Sequence, residues 1–213
     1  MQENLLAFLR RHALRVLDVA LRLVSEPRRF ASAVLSGSYS LRDAAIFYVV
    51  GVLVALALET PLLPSNDDLT RELVGRSAIF LVYGVGLAVV VWLSWRLFAR
   101  QASIKSLAAV ALFCAGPTLV VNRLAVFSIA AGNQTGDSTF IAVGIGLVVI
   151  PFFYAAALWS GIRSHYAVTT WRAFAAGVML VLVHWLFSHT VLAPQIVKYA
   201  NAAYEAAVDA SAG

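Results

Sequence analysis

Five polar residues stand inside or at the edge of long apolar runs, and their types could do chemistry. Glu59 ends one run, Asn122 and Arg123 interrupt a second, and His184 and His189 lie along a third. A charge at bilayer depth is costly unless it meets a partner, water or headgroups. A carboxylate, a guanidinium and an imidazole in one layer therefore make either an ion-pair cluster or a path for a polar solute. The depths agree. At about 1.5 Å per residue, Glu59 counted from Arg42, Arg123 from Lys105 and His189 from Arg172 all lie roughly 25–27 Å along their runs. Two readings stay open: a Glu59–Arg123 pair with His189 as a third member, or Arg123 snorkelling to headgroups while Glu59 faces water.

Other chemistry is missing from the sequence. There is no nucleophile elbow, no H-E-x-x-H, no P-loop and no dinucleotide fingerprint. His184 and His189 are five apart, off the i, i+4 spacing of a helical metal site. Their plainer roles are a bond to a neighbouring helix and a place at the interface. The single cysteine, Cys114, permits no intrachain disulfide and no multi-cysteine metal centre. The expectation is a protein that is not an enzyme, with no catalytic residue, cofactor or metal. Pro117 and Pro151 fall inside apolar runs and should kink their helices. In a transporter such prolines break helices and expose carbonyls; otherwise neighbouring helices repair the lost bond.

The elements that position these residues follow from composition. The 213-residue chain is 61% hydrophobic and only 13% charged, with a mean hydropathy of +0.83. A soluble domain carries about 25% charged residues. An all-α polytopic membrane bundle is implied, with five transmembrane helices at about 41–60, 77–98, 104–130, 139–162 and 171–192. Residues 1–40 form an N-terminal segment whose first part, Asn4 to Val24, is an amphipathic interfacial helix ended by Pro27. Arg11, Arg15 and Arg22 would face anionic lipid headgroups from it; the alternative is a helix packed against the protein's own cytoplasmic face. Ser40 and Asp43 read as a cap for the first span. Gly132 to Asp137 reads as a turn-rich loop, 64–76 as a polar one, and 193–213 as a short tail.

Charge sets the orientation. Twelve Lys and Arg fall on the side of the N-terminus and three on the other. The positive-inside rule then makes the N-terminus cytoplasmic and the C-terminus external in the cell (inner) membrane. The basic residues flank spans and form no aromatic-interleaved patch, so no nucleic-acid partner is implied. Small residues four apart, Gly51 and Ala55, Gly84 and Ala88, Ala111 and Ala115, Ala157 and Gly161, allow close helix packing. The bilayer is the first partner, with a membrane protein or a second copy of the chain the next.

Glu26-Pro27-Arg28-Arg29-Phe30, a serine-rich turn, Leu41-Arg42-Asp43-Ala44-Ala45-Ile46-Phe47, and then Phe113 ahead of Gly116-Pro117 make a recognisable layout. It resembles the bacterial members of the Yip1-like membrane family, with their Pro-x-x-Phe entry and a proline in the third of five spans. The resemblance implies a five-helix bundle with a cytosolic N-terminus that acts through lipid or protein contacts. The alternative is a small transporter or permease component using Glu59, Arg123 and proline-broken helices.

Overall fold

In the computed structural model, which describes residues 2–60 and 69–187, Pro27 begins a helix as well as following one. The first helix, α1, runs Gln2–Ser25, and a second, α2, runs Pro27–Leu35 with the proline in its opening turn. There its missing N–H costs nothing and its fixed φ suits the helix. The N-terminal segment thus holds two helices, the second starting at the proline that ends the first. Gly37, at φ +90°, turns the chain towards the next element.

The rest is helical too, and no strand occurs among the described residues. α3 is Leu41–Glu59, α4 Leu69–Arg96, α5 Ile104–Thr135, α6 Ser138–His165 and α7 Thr170–Phe187. Four of these hold stretches long and apolar enough to cross a membrane: Leu41–Leu58, Leu73–Arg96, Ile104–Asn133 and Ser138–His165. α7 is a fifth apolar helix, shorter over its described part. The tail at 193–213 lies outside the described residues.

Ser40 opens α3 with a capping box: its hydroxyl accepts from the Asp43 N–H, and the Asp43 side chain accepts from the Ser40 N–H. Two of the orphan donors of that helix start are satisfied this way. Two loops are shorter than expected. α4 already includes Leu69 to Arg76, and residues 61–68 lie outside the described residues. α5 continues through Gly132 to Thr135, and the link to α6 is just Gly136, left-handed at φ +73°, and Asp137. The reason is packing. A Cβ on Gly132 would sit 2.6 Å from Ile141 and 3.0 Å from the Asp137 carbonyl, so this glycine is a helix–helix contact and not a turn residue.

α5 is the axis, packed against α3, α4, α6 and α2. It approaches α3 closely, where a Cβ on Gly51 would lie 2.8 Å from the Gly116 Cα. Lipid tails offer helices no hydrophobic drive to associate, so this kind of backbone contact carries the packing. Phe47 meets Phe113 as Gly51 meets Gly116, so α3 and α5 run in the same direction. Pro117 and Pro151 both lie inside continuous helices. Near Pro117, the Thr118 hydroxyl donates to the Cys114 carbonyl at 2.8 Å.

Candidate functional site

Two places in the bundle gather unusual side chains. One joins the N-terminal helices to the spans and is centred on Phe113, which is fully buried on α5. Phe30 of α2 meets its ring edge-on at 5.1 Å, Tyr39 of the turn at 5.9 Å, and Phe47 of α3 at 5.5 Å. Such pairs add about 0.5–1.5 kcal/mol each beyond their buried area. α2 is pressed onto α6 at Gly161, where a Cβ would be 2.6 Å from the Arg28 carbonyl. Next to it, Trp95 of α4 packs on Trp159 of α6 at 4.5 Å, and Trp159 Nε1 donates to the Ala173 carbonyl of α7 at 2.9 Å. Six helices, α2 to α7, and the turn before α3 are fastened in this one layer.

Charges ring the same end. Arg15 Nη2 of α1 donates to Asp43 Oδ2 at 2.8 Å, tying α1 to the first turn of α3. Arg22 pairs with Asp18 at 3.0 Å and Arg29 with Glu26 at 3.1 Å. Arg163 Nη1 donates to the Thr170 hydroxyl at 2.6 Å across the turn between α6 and α7. In that turn, burial raises the Tyr166 phenol above its ordinary value, opposed by a backbone hydrogen bond at Ser103.

The second place is the layer of polar residues singled out from the sequence. Arg123 is half-buried, its Cζ 5.1 Å from the centre of the Phe80 ring on α4. Phe80 is itself buried, and its carbonyl accepts from the Tyr48 hydroxyl of α3. Gly84 makes room for the Tyr48 ring. Asn122 points away and is exposed. Glu59 is the last residue of α3, and its side chain lies outside the described residues, as does that of His184 on α7; His189 is outside them altogether. Counted from the Gly51–Gly116 contact, Glu59 is about 12 Å and Arg123 about 10 Å further along two helices of the same direction. They share a layer.

The structure therefore brings Arg123 to Phe80 and Tyr48, neither of which stood out in the sequence. The available signal was depth: Phe80 lies about two turns past the apolar start at Leu73, opposite the level of Arg123. A guanidinium over a ring face in low dielectric is a cation–π contact. It places a fixed positive group where an anion or a lipid phosphate could meet it, but supplies neither a nucleophile nor a base. No group of three or more His, Cys, Asp or Glu able to hold a metal occurs among the described residues.

Protein-family models, curated proteins and solved structures give no match to this chain. Function has to be read from the geometry.

Proposed function

We propose that this chain is a non-enzymatic integral membrane protein of the Yip1-like type, acting through lipid or protein contacts in the bilayer. α7 is its fifth span. The N-terminus lies in the cytoplasm and the C-terminus outside the cell (inner) membrane, as the distribution of basic residues requires. One observation carries the reading. Phe30 of the Pro-x-x-Phe entry and Phe113 ahead of Gly116-Pro117 are far apart in sequence, yet their rings meet at 5.1 Å. The short motifs on which the resemblance rests thus meet in one layer, and that layer fixes the N-terminal helices to the spans. A built platform at the cytoplasmic end suits a protein that presents a surface to lipids or to a partner. The transporter alternative gains nothing from the prolines, since α5 and α6 continue through both.

The test is extraction from native membranes with bound lipids and proteins identified by mass spectrometry, comparing wild type with Phe30→Ala. A defined lipid or protein set retained by the wild type and lost from a still-folded variant is expected. Identical sets from both would remove the platform from the function. Orientation is checked with single cysteines on a Cys114→Ala background. Gln101→Cys should be shielded from an impermeant reagent in intact cells and Asn133→Cys should react; the reverse pattern overturns the topology.

A further inference from the structure

From Leu14 onward, where its side chains are described, α1 has three faces, two of them occupied within the protein. Val19 and Leu23, 2% and 1% exposed, turn inward and join the core beside Phe30 and Phe47, with Val16 and Ala20 behind them. Arg15, Asp18 and Arg22, spaced three and four apart, form the charged face. Its guanidiniums are engaged within the protein, Arg15 on Asp43 and Arg22 on Asp18. The third face consists of Leu14, Leu17, Leu21 and Val24, spaced three, four and three, each between 55% and 67% exposed. A contiguous apolar stripe bordered by charge marks an interaction surface.

What covers that stripe follows from its level. The Arg15–Asp43 bond at 2.8 Å holds the middle of α1 beside the first turn of α3. α3 is apolar enough to cross a membrane from Leu41 onward, and Leu41 is itself 40% exposed. The stripe starts one residue before Arg15, so it lies at the margin where α3 enters hydrocarbon. We infer that α1 is a wedge whose Leu14, Leu17, Leu21 and Val24 insert among the acyl chains of the leaflet adjoining that margin. This rests on the membrane-bundle reading above and sharpens it. Insertion does not depend on the electrostatic attachment expected from the sequence: Arg15 and Arg22 already meet the chain's own carboxylates, and the Arg11 side chain lies outside the described residues. A helix fixed by Val19 and Leu23 on one side occupies a set volume in one leaflet only. Such a wedge favours loosely packed or strongly curved leaflets. A second copy fits less well, since Leu14 to Val24 gives two heptads where a sustained coiled coil needs about three or four.

The experiment uses the full chain in neutral phosphatidylcholine liposomes, on a Cys114→Ala background. An environment-sensitive dye is attached to Leu17→Cys, Leu21→Cys, Asp18→Cys or Val85→Cys, and its quenching by acyl-brominated lipid is measured. Val85 is an exposed residue of a spanning helix. Labels at 17, 21 and 85 should be quenched several-fold more than the label at 18. Quenching at 17 and 21 should persist from about 0.1 to about 1 M salt, across which the Debye length falls from about 10 to about 3 Å. Quenching at 85 with none at 17 and 21 overturns the wedge and leaves the bundle standing. No quenching at 85 overturns the membrane reading itself. Loss of quenching at 17 and 21 in high salt restores the electrostatic attachment and removes the wedge. A Leu21→Cys disulfide dimer in place of lipid quenching assigns the stripe to a second copy and also removes it.

Discussion

Phe113 and Phe153 are the same residue type on neighbouring apolar helices, yet one is fully buried and the other 73% exposed. The contrast holds for the regions around them. At the end bearing α1 and α2, Trp95, Leu107, Phe113 and Ile162 are almost fully buried, and side chains from all seven helices share the core. Towards the opposite end, α6 turns most of its length outward, with Phe140, Val143, Ile145 and Phe152 all exposed. Its outer contacts are with α5, through Gly132, Gly144 and the Ser128 hydroxyl, which donates to the Phe140 carbonyl at 2.8 Å. One end is built by close packing of many helices; the other rests on the α5–α6 hairpin and on a smaller cluster of α3, α4 and α5 around Tyr48, Phe80 and Leu119. The difference locates stability at the N-terminal platform and leaves the far layer, where Arg123 sits, the lighter part of the fold.

The largest effect should come from truncating the platform. Removing a buried phenylalanine from a water-soluble core costs about 3–5 kcal/mol. Lipid supplies no transfer penalty but leaves the cavity, so the lower end, about 3 kcal/mol, is expected for Phe113→Ala. Phe153→Ala should stay within about 0.5 kcal/mol of wild type. Unfolding of both variants in one detergent, followed by tryptophan fluorescence, measures the gap. Equal losses would erase the distinction between the two ends.

The outer layer has a smaller expected contribution. A cation–π pair yields about 0.5–1 kcal/mol when exposed and about 2 when desolvated. Arg123 is half-buried, so coupling of about 1 kcal/mol between Arg123→Gln and Phe80→Leu is expected from a double-mutant cycle. The cycle separates this pair from any other contact Arg123 makes. Zero coupling would mean that Phe80 merely adjoins the guanidinium, and the outer layer would lose its best-defined interaction.

How much of this was legible in the sequence follows the same division. Apolar runs mark the spans because backbone groups in lipid must bond within their own helix, which leaves hydropathy as a strong signal. Ser40 and Asp43 announce the start of α3, since capping depends on residues three apart and on nothing distant. The small-residue pairs mostly fall at buried positions: Gly51, Ala55, Gly84, Ala88, Ala111, Ala115 and Gly161 are buried, and Ala157 is half-buried. Pro27 was ambiguous, because the same residue that ends one helix is favoured at the start of the next. Gly132 misled for a related reason, glycine serving equally in a turn and at a close helix contact. The partners of Arg15 and Arg123 were beyond reach. Asp43 and Phe80 are chosen by how helices dock, and no local pattern encodes that.

The smallest effect tests the far end through pH. Asp137 begins α6, with the Thr139 N–H donating to its Oδ1 at 2.8 Å. That backbone bond holds the carboxyl below its ordinary value. A carboxylate with a depressed folded value contributes fully above its unfolded value, about 3.9, and the contribution is lost as pH falls through the folded one. Asp137→Asn keeps an acceptor and an equally favoured cap residue but cannot titrate. The stability difference between the two proteins should therefore be flat above about pH 5 and move in favour of the asparagine variant at lower pH. The group is open to solvent, so the stability effect is small and is best read as a difference between paired thermal melts over that range. Other acidic groups cancel in the subtraction, because both proteins carry them. Parallel profiles at every pH would mean that the carboxylate does not hold the helix start. The α5–α6 hairpin would then depend at its tip on the glycine contacts alone.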